Sequence, residues 1–242
     1  MKTKRFLFGL IGLMLGFIVS FIWTRDYNKK NAVAASPSGS QTAAAAGAPG
    51  GNNQQAMMAQ IRETMEKARQ NPTDFDAQLA AASAYDAIGR GKDAVEYLTK
   101  ALEINPKEKR AVGICGYIGD YYFQQKSYTD AEKWFRRASE IDPNIPDAYI
   151  EVGATFIERQ PPNPDKAIEE LQRALNLDSK NAHALEHLTE AYTLKKDVRG
   201  ADDALSRLKQ ADPANKRLPQ LQSMVSDLKA GKAVSVPKES AP

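Results

Sequence analysis

Apolar residues return at three- and four-residue intervals over most of the chain, from Gln54 to about Ala230, broken by short polar stretches that carry Asn, Asp, Gly or Pro. Residues so spaced share one face of a helix. Met57, Ile61, Met65 and Ala68 make one such stripe, which Asn71-Pro72 ends, and the spacing predicts a helix over 54–71. Leu218, Leu221, Val225 and Leu228 make another, closed by Gly231, over 216–230. Between them, 75–215 reads as helices in pairs, so the fold class is all-α.

The pairs repeat. Tyr85, Ala94, Leu98, Ala101 and Pro106 stand 9, 4, 3 and 5 residues apart, and Tyr122, Ala131, Phe135, Ala138 and Pro143 keep the same spacings. Phe156, Ala167, Leu171, Ala174 and Ser179 repeat them with two added residues in the first gap, and Tyr192, Ala201, Leu205, Leu208 and Pro213 complete the set. An aromatic ring late in a first helix fills the space between two helices. An alanine early in the second lets the backbones approach. Proline after the pair stops further helix, since it lacks a donor and clashes with the preceding turn. These are packing residues and carry no chemistry.

This set resembles the tetratricopeptide repeat family, whose unit is 34 residues of helix, turn and helix. The units fall at 75–108, 112–145, 146–181 and 182–215. The resemblance implies a solenoid in which stacked hairpins leave a concave groove, with 54–71 covering one end and 216–230 the other. Three residues added between 108 and 112 predict one more turn at the start of the next helix. Gln160-Pro161-Pro162-Asn163-Pro164 predicts a longer, stiffer turn inside the third unit. Leu208 stands where the pattern has its second alanine and predicts a wider fourth hairpin.

The chain opens differently. Lys2, Lys4 and Arg5 precede an almost wholly apolar run, Phe6 to Trp23, which as a helix spans about 27 Å, close to a bilayer core of about 30 Å. Trp23 and Tyr27 sit where interfacial aromatics belong, and Arg25, Lys29 and Lys30 end the span. Residues 1–30 therefore read as a single transmembrane anchor. A cleaved signal peptide with Ala32-Val33-Ala34 as its site is the competing reading. The tighter basic cluster at the amino terminus places that end in the cytoplasm and the repeats outside the inner membrane of a bacterium, with the opposite orientation as the alternative. Gly12 and Gly16 offer a helix-dimerisation face, although glycine is common in membrane helices in any case. Residues 31–53 are low in charge and in large apolar side chains and read as a flexible linker. Residues 231–242 read as a disordered tail.

Composition narrows the function. The net charge is +3, with both signs mixed along the helices, which argues against nucleic acid. The single cysteine, Cys115, excludes a disulfide framework within the chain and reads as a small buried apolar residue. Phosphate loops, nucleophile elbows and cysteine–histidine pairings are absent, so no catalytic residue and no cofactor is assigned. His183 and His187 share a helix face beside Glu186 and Glu190. Two histidines make half of a metal site, and the order His-Ala-Leu-Glu-His differs from the zinc-protease signature, so no metal is assigned.

The family resemblance implies that a ligand lies against the first helices of the units. Aligning the units puts Asp76, Leu79, Ser83 and Asp86 there from the first, and Tyr117, Asp120, Phe123 and Gln124 from the second. The third contributes Asp147, Ile150, Glu151 and Ile157, and the fourth His183, Glu186, His187 and Glu190. The lysines, arginine and asparagines with which the family's carboxylate-clamp members hold a peptide's terminal carboxylate are absent at these positions. An acidic lining with apolar patches calls for a basic or amphipathic protein segment. The expected function is a membrane-tethered adaptor that recruits or orders an envelope complex. The layout of one span, a linker, a short helix and repeats is also similar to the tetratricopeptide proteins of cytochrome c maturation, which implies presentation of an apocytochrome. A self-associating membrane protein is the third reading.

Overall fold

The computed structural model describes residues 50–234, all of whose regular structure is helical. The anchor at 1–30 with its Gly12/Gly16 face, the linker up to residue 49 and the tail from residue 235 lie outside the described residues. Among those described, no helix is long and apolar enough to cross a membrane.

Helix α1 spans Gly50–Gln70. It starts four residues earlier than the apolar stripe predicts, so Gly50 to Asn53, assigned above to the linker, form its first turn. The hairpins follow as α2 (Phe75–Ala87) with α3 (Gly91–Ile104), and α4 (Ala111–Gln124) with α5 (Tyr128–Ile141). Then come α6 (Pro146–Glu158) with α7 (Pro164–Leu177), α8 (Ala182–Lys195) with α9 (Val198–Ala211), and the closing helix α10 (Leu218–Lys229). Gly231, at φ +68°, ends the last. Side-chain caps set several starts: Asp74, Asn163, Asn181 and Asp197 each accept a hydrogen bond from a backbone N–H three residues on. Pro146 and Pro164 occupy first turns, where the missing donor costs nothing.

Of the three residues added before α4, Lys109 and Arg110 stay outside the helix and only Ala111 joins it, so no turn is added. Residues 105–110 form turns closed by the Glu108 N–H to the Asn105 carbonyl and the Ala111 N–H to the Glu108 carbonyl. Glu108 also accepts from the Arg110 backbone N–H at 2.6 Å, and this local bonding competes with helix. The insertion in the third hairpin does sit in its inter-helix turn, which the Asn163 N–H closes onto the Phe156 carbonyl at 2.8 Å.

The chain divides into two units between Ile114 and Cys115, inside α4. In the first, Gln78 is buried and its Nε2 donates to the Ala68 and Asn71 carbonyls, fastening α1 to α2. Tyr85 stacks on Tyr97 at 5.2 Å across the α2–α3 hairpin, over fully buried Ala94 and Ala101. In the second unit, one core runs from Ala131 to Val225. Each of its hairpins sets a glycine against a large side chain. A Cβ at Gly119 would lie 2.4 Å from the Phe135 ring, one at Gly153 2.8 Å from Leu171, and one at Gly200 2.5 Å from the Tyr192 ring. Leu208 is wholly buried.

Two glycines of α4 separate close packing from helix propensity. Gly119→Ala is expected to cost about 1–3 kcal/mol through overpacking on Phe135. A Cβ at Gly113 meets nothing within 4 Å, so Gly113→Ala is expected to stabilise by up to about 1 kcal/mol. Urea unfolding followed by circular dichroism reads both, and equal effects of the same sign would contradict the packing argument.

Candidate functional site

Interior packing takes up a large part of the face of the first helices on which the sequence places a ligand. In the first unit Leu79 is buried, and the Ser83 hydroxyl donates to the Leu79 carbonyl at 3.0 Å. Asp76 and Asp86 are exposed, and Arg110 reaches Asp76 at 2.8 Å while stacking over the Phe75 ring.

In the second unit Tyr117, Asp120 and Phe123 of α4 are half-buried and Gln124 is exposed. Phe123 sets its edge against Tyr128, with ring centroids 5.2 Å apart. On α6, Asp147 and Glu151 are half-buried, whereas Ile150 and Ile157 are sealed in the core. The two isoleucines and Leu79 therefore correct the groove assignment. Residues Val152 to Ile157 are all buried, because a first helix is covered by its hairpin partner on one side and by neighbouring helices on others.

The fourth repeat departs furthest from the expected open lining. Glu186, His187 and Glu190 of α8 are buried and joined in one network with the segment that leads into α10. The His187 Nδ1 meets Glu190 Oε2 at 2.9 Å, and its Nε2 meets the His183 Nε2 at 2.9 Å. Arg217 donates to Glu186 Oε2 at 3.3 Å and to Glu190 Oε1. Asn215 donates to Glu186 Oε1 at 2.6 Å and to Asp212. This corrects the assignment of Glu186, His187 and Glu190 as ligand-facing residues: their polar atoms are spent inside the molecule. His183, half-buried, stays at the edge of the network. Among the described residues no three histidine, cysteine or acidic side chains are grouped to hold a metal ion.

Burial by itself would raise the Glu190 carboxyl, but the His187 hydrogen bond, with Arg217 beside it, outweighs that and holds it below the ordinary value. Glu190 therefore contributes stability that is complete above its unfolded value and is lost as pH falls through the lower, folded one. A second network staples α5, α6 and α7. Arg136 bridges Glu132 and Glu170 at 2.9 Å each, Arg159 reaches Glu132 from the end of α6, and Arg159 lies 4.0 Å over the Phe156 ring. Glu132 is likewise pushed up by burial and pulled further down by its two arginines.

Sequence reasoning missed Arg110, Asn215 and Arg217. A signal for the two arginines exists: each stands four residues after the proline that ends its unit, Pro106 and Pro213. Cys115 is buried and its thiol is raised to about 11, chiefly by burial, which leaves it a packing residue.

The comparisons with known proteins agree with this architecture. The family model for the tetratricopeptide repeat matches residues 75–108 and 113–145. Residues 75–108 and 113–145 are thus matched as tetratricopeptide repeats. Among solved structures, this chain is similar to MamA from Desulfovibrio magneticus RS-1, with a TM-score of 0.56 and 19% identity over 68% of this chain and 90% of that one. It is also similar to YrrB, described as a TPR protein with an unusual peptide-binding site, with a TM-score of 0.52 and 16% identity over 70% and 94% of the two chains. A tetratricopeptide repeat protein from Parabacteroides merdae gives a TM-score of 0.60 at 14% identity over 74% and 69%. At these identities the likeness is one of fold. A curated relative, a DnaJ homolog subfamily C member 3 homolog of Dictyostelium discoideum, is 24% identical over 166 residues, which is 63% of this chain. The chain spans about a third of that relative's length.

Arg217→Ala would strand two buried carboxylates. It is expected to cost about 3 kcal/mol near neutral pH, the scale of breaking a buried ion pair from one side. Chemical denaturation of Arg217→Ala beside Lys195→Ala, whose pair with Asp165 lies at the surface, checks this. Equal, small losses would mean that the buried network adds nothing. A thiol reagent is expected to leave Cys115 unmodified until the protein is denatured, and modification of the native protein at the rate of a free thiol would contradict its burial.

Proposed function

We propose that this chain is a non-catalytic adaptor that holds a basic or amphipathic protein segment against the first helices of its second unit. The observation that carries the reading is the set of side chains which packing leaves at that surface. Asp120, Gln124, Asp147 and Glu151 keep an acidic and polar rim, and Phe123 offers the half-exposed edge of an aromatic cluster with Tyr128. An apolar anchor inside an acidic rim fits a partner of opposite sign, by charge complementarity and by burial of one or two large residues. YrrB, which shares the fold, is described as having a peptide-binding site. The apolar run at residues 6–23 would tether the adaptor to a bacterial membrane, with the repeats on its outer side.

A direct test uses the full chain in detergent micelles and two labelled amphipathic helical peptides of equal length, one basic and one acidic, in fluorescence anisotropy. The basic peptide is expected to bind, more weakly as salt rises, and the acidic one to stay free. Reversing charge with Asp147→Lys and Glu151→Lys together should weaken the basic peptide about tenfold or more and allow the acidic one to bind. Unchanged preference in a variant with native circular dichroism would sink the assignment of this surface.

A further inference from the structure

Helices α4 and α6 carry Asp120, Asp147, Glu151 and Glu158 and no basic residue. On α6 the three acids stand four and seven residues apart, which sets them on one face. The first helix of the fourth repeat differs, because Arg217 answers its two buried glutamates. Arg159, which follows α6 directly, is committed to Glu132 and to the Phe156 ring. The α4 and α6 surface therefore concentrates negative charge beside the aromatic edge of Phe123 and Tyr128.

A ligand for that surface needs bases and a large apolar side chain on one face. The chain itself contains such a stretch. Thr24, Arg25, Asp26, Tyr27, Asn28, Lys29 and Lys30 follow the apolar run of residues 6–23. In an extended segment side chains alternate between two faces. Arg25, Tyr27 and Lys29 then share one face as base, aromatic and base, and the one acid, Asp26, falls on the other. Nothing else outside the described residues matches this pattern on the side of the repeats. Residues 31–49 carry no charge, and the tail from residue 235 sets Lys238 beside Glu239. Lys2, Lys4 and Arg5 precede the run and fall on the far side of a membrane that it crosses.

With residues 6–23 across a membrane, residues 24–49 leave it on the side of the repeats, whichever way the run is oriented. From Lys30 to Gly50 the chain reaches at most about 70 Å. Gly12 and Gly16 let two spans pack closely. The basic stretch of one copy then lies within a tether's reach of the repeats of another, and confinement to one membrane raises the effective concentration of each for the other.

We propose that residues 24–30 of one copy are a ligand of the α4 and α6 surface of a second copy, an inference that rests on the adaptor reading above. Arg25 and Lys29 meet the acidic residues, and Tyr27 meets the Phe123 edge. A basic partner from outside then binds by displacing this stretch, so that loading the adaptor separates the copies.

The test uses the full chain in phosphatidylcholine vesicles, as a mixture of two forms. One carries a photoreactive phenylalanine analogue at position 27, which keeps an aromatic ring there, and the other carries an affinity tag. Irradiation is expected to give a crosslinked dimer whose adduct maps by mass spectrometry to α4 or α6 of the tagged copy. Asp147→Lys with Glu151→Lys in the tagged copy should lower the yield about tenfold, and adding Arg25→Glu with Lys29→Glu in the photoreactive copy should restore it. Restoration is a result that a misfolded variant cannot give. No dimer, an adduct elsewhere or within one copy only, or loss without restoration would overturn the proposal. A labelled basic amphipathic peptide separates that failure from failure of the adaptor reading. It is expected to bind the chain carrying Arg25→Glu and Lys29→Glu about tenfold more tightly than the unmodified one. Equal binding to both leaves the adaptor in place and overturns the neighbouring copy as its ligand, whereas binding to neither overturns both.

Discussion

The close approach of two helices, with a small residue on one against a large residue on the other, is the constraint on which this structure depends. At Gly119 with Phe135, Gly153 with Leu171 and Gly200 with Tyr192 the contact is tighter than a single added carbon permits. Buried alanines at 94, 101, 131, 138, 167, 174 and 201 extend the same condition along the second helices. Dense packing of this kind fixes the distance between helices in a hairpin. It thereby fixes which residues of the first helices are left at the surface, and those residues determine what the protein can hold.

The ion-pair networks are a second layer, built where packing leaves charge in the interior. Buried carboxylates are tolerated here because arginines from another helix or connection satisfy them, Arg136 for Glu170 and Arg217 for Glu186 and Glu190, and half-buried Glu132 is held in the same way by Arg159. Such pairs contribute little net stability relative to apolar packing, yet breaking one from a single side is costly. They therefore act as registers that fix which element lies against which. In the fourth repeat the arrangement goes further, and positions that elsewhere in the second unit keep an acidic rim are closed over by the segment before α10.

The hairpins were legible in the sequence because the second helices are amphipathic. Their stripes, the aromatic at the end of each first helix and the prolines after units one, two and four all register against one period. The first helices carry less of this signal. Residues 152–157 on α6 and 184–191 on α8 are buried without interruption, and a helix covered on most sides shows no clear face. For that reason Leu79, Ile150 and Ile157 were read as lining when they are core. Arg217 escaped notice because its role depends on a contact with residues about thirty positions away, which no local pattern announces. The turns at 105–110 and the first turn of α1 at Gly50 were missed for a related reason: short polar stretches take their conformation from local hydrogen bonds that spacing does not encode.

The account's central claim is that the surface left by packing on α4 and α6 is where a partner is held. A photo-crosslinking amino acid in the full chain, at position 123 in one preparation and at exposed Leu177 in another, tests it most directly in living cells. The account predicts a discrete crosslinked protein from position 123, competed by a basic amphipathic peptide, and none from position 177. The same crosslinked species from both positions, or from position 177 alone, would contradict it.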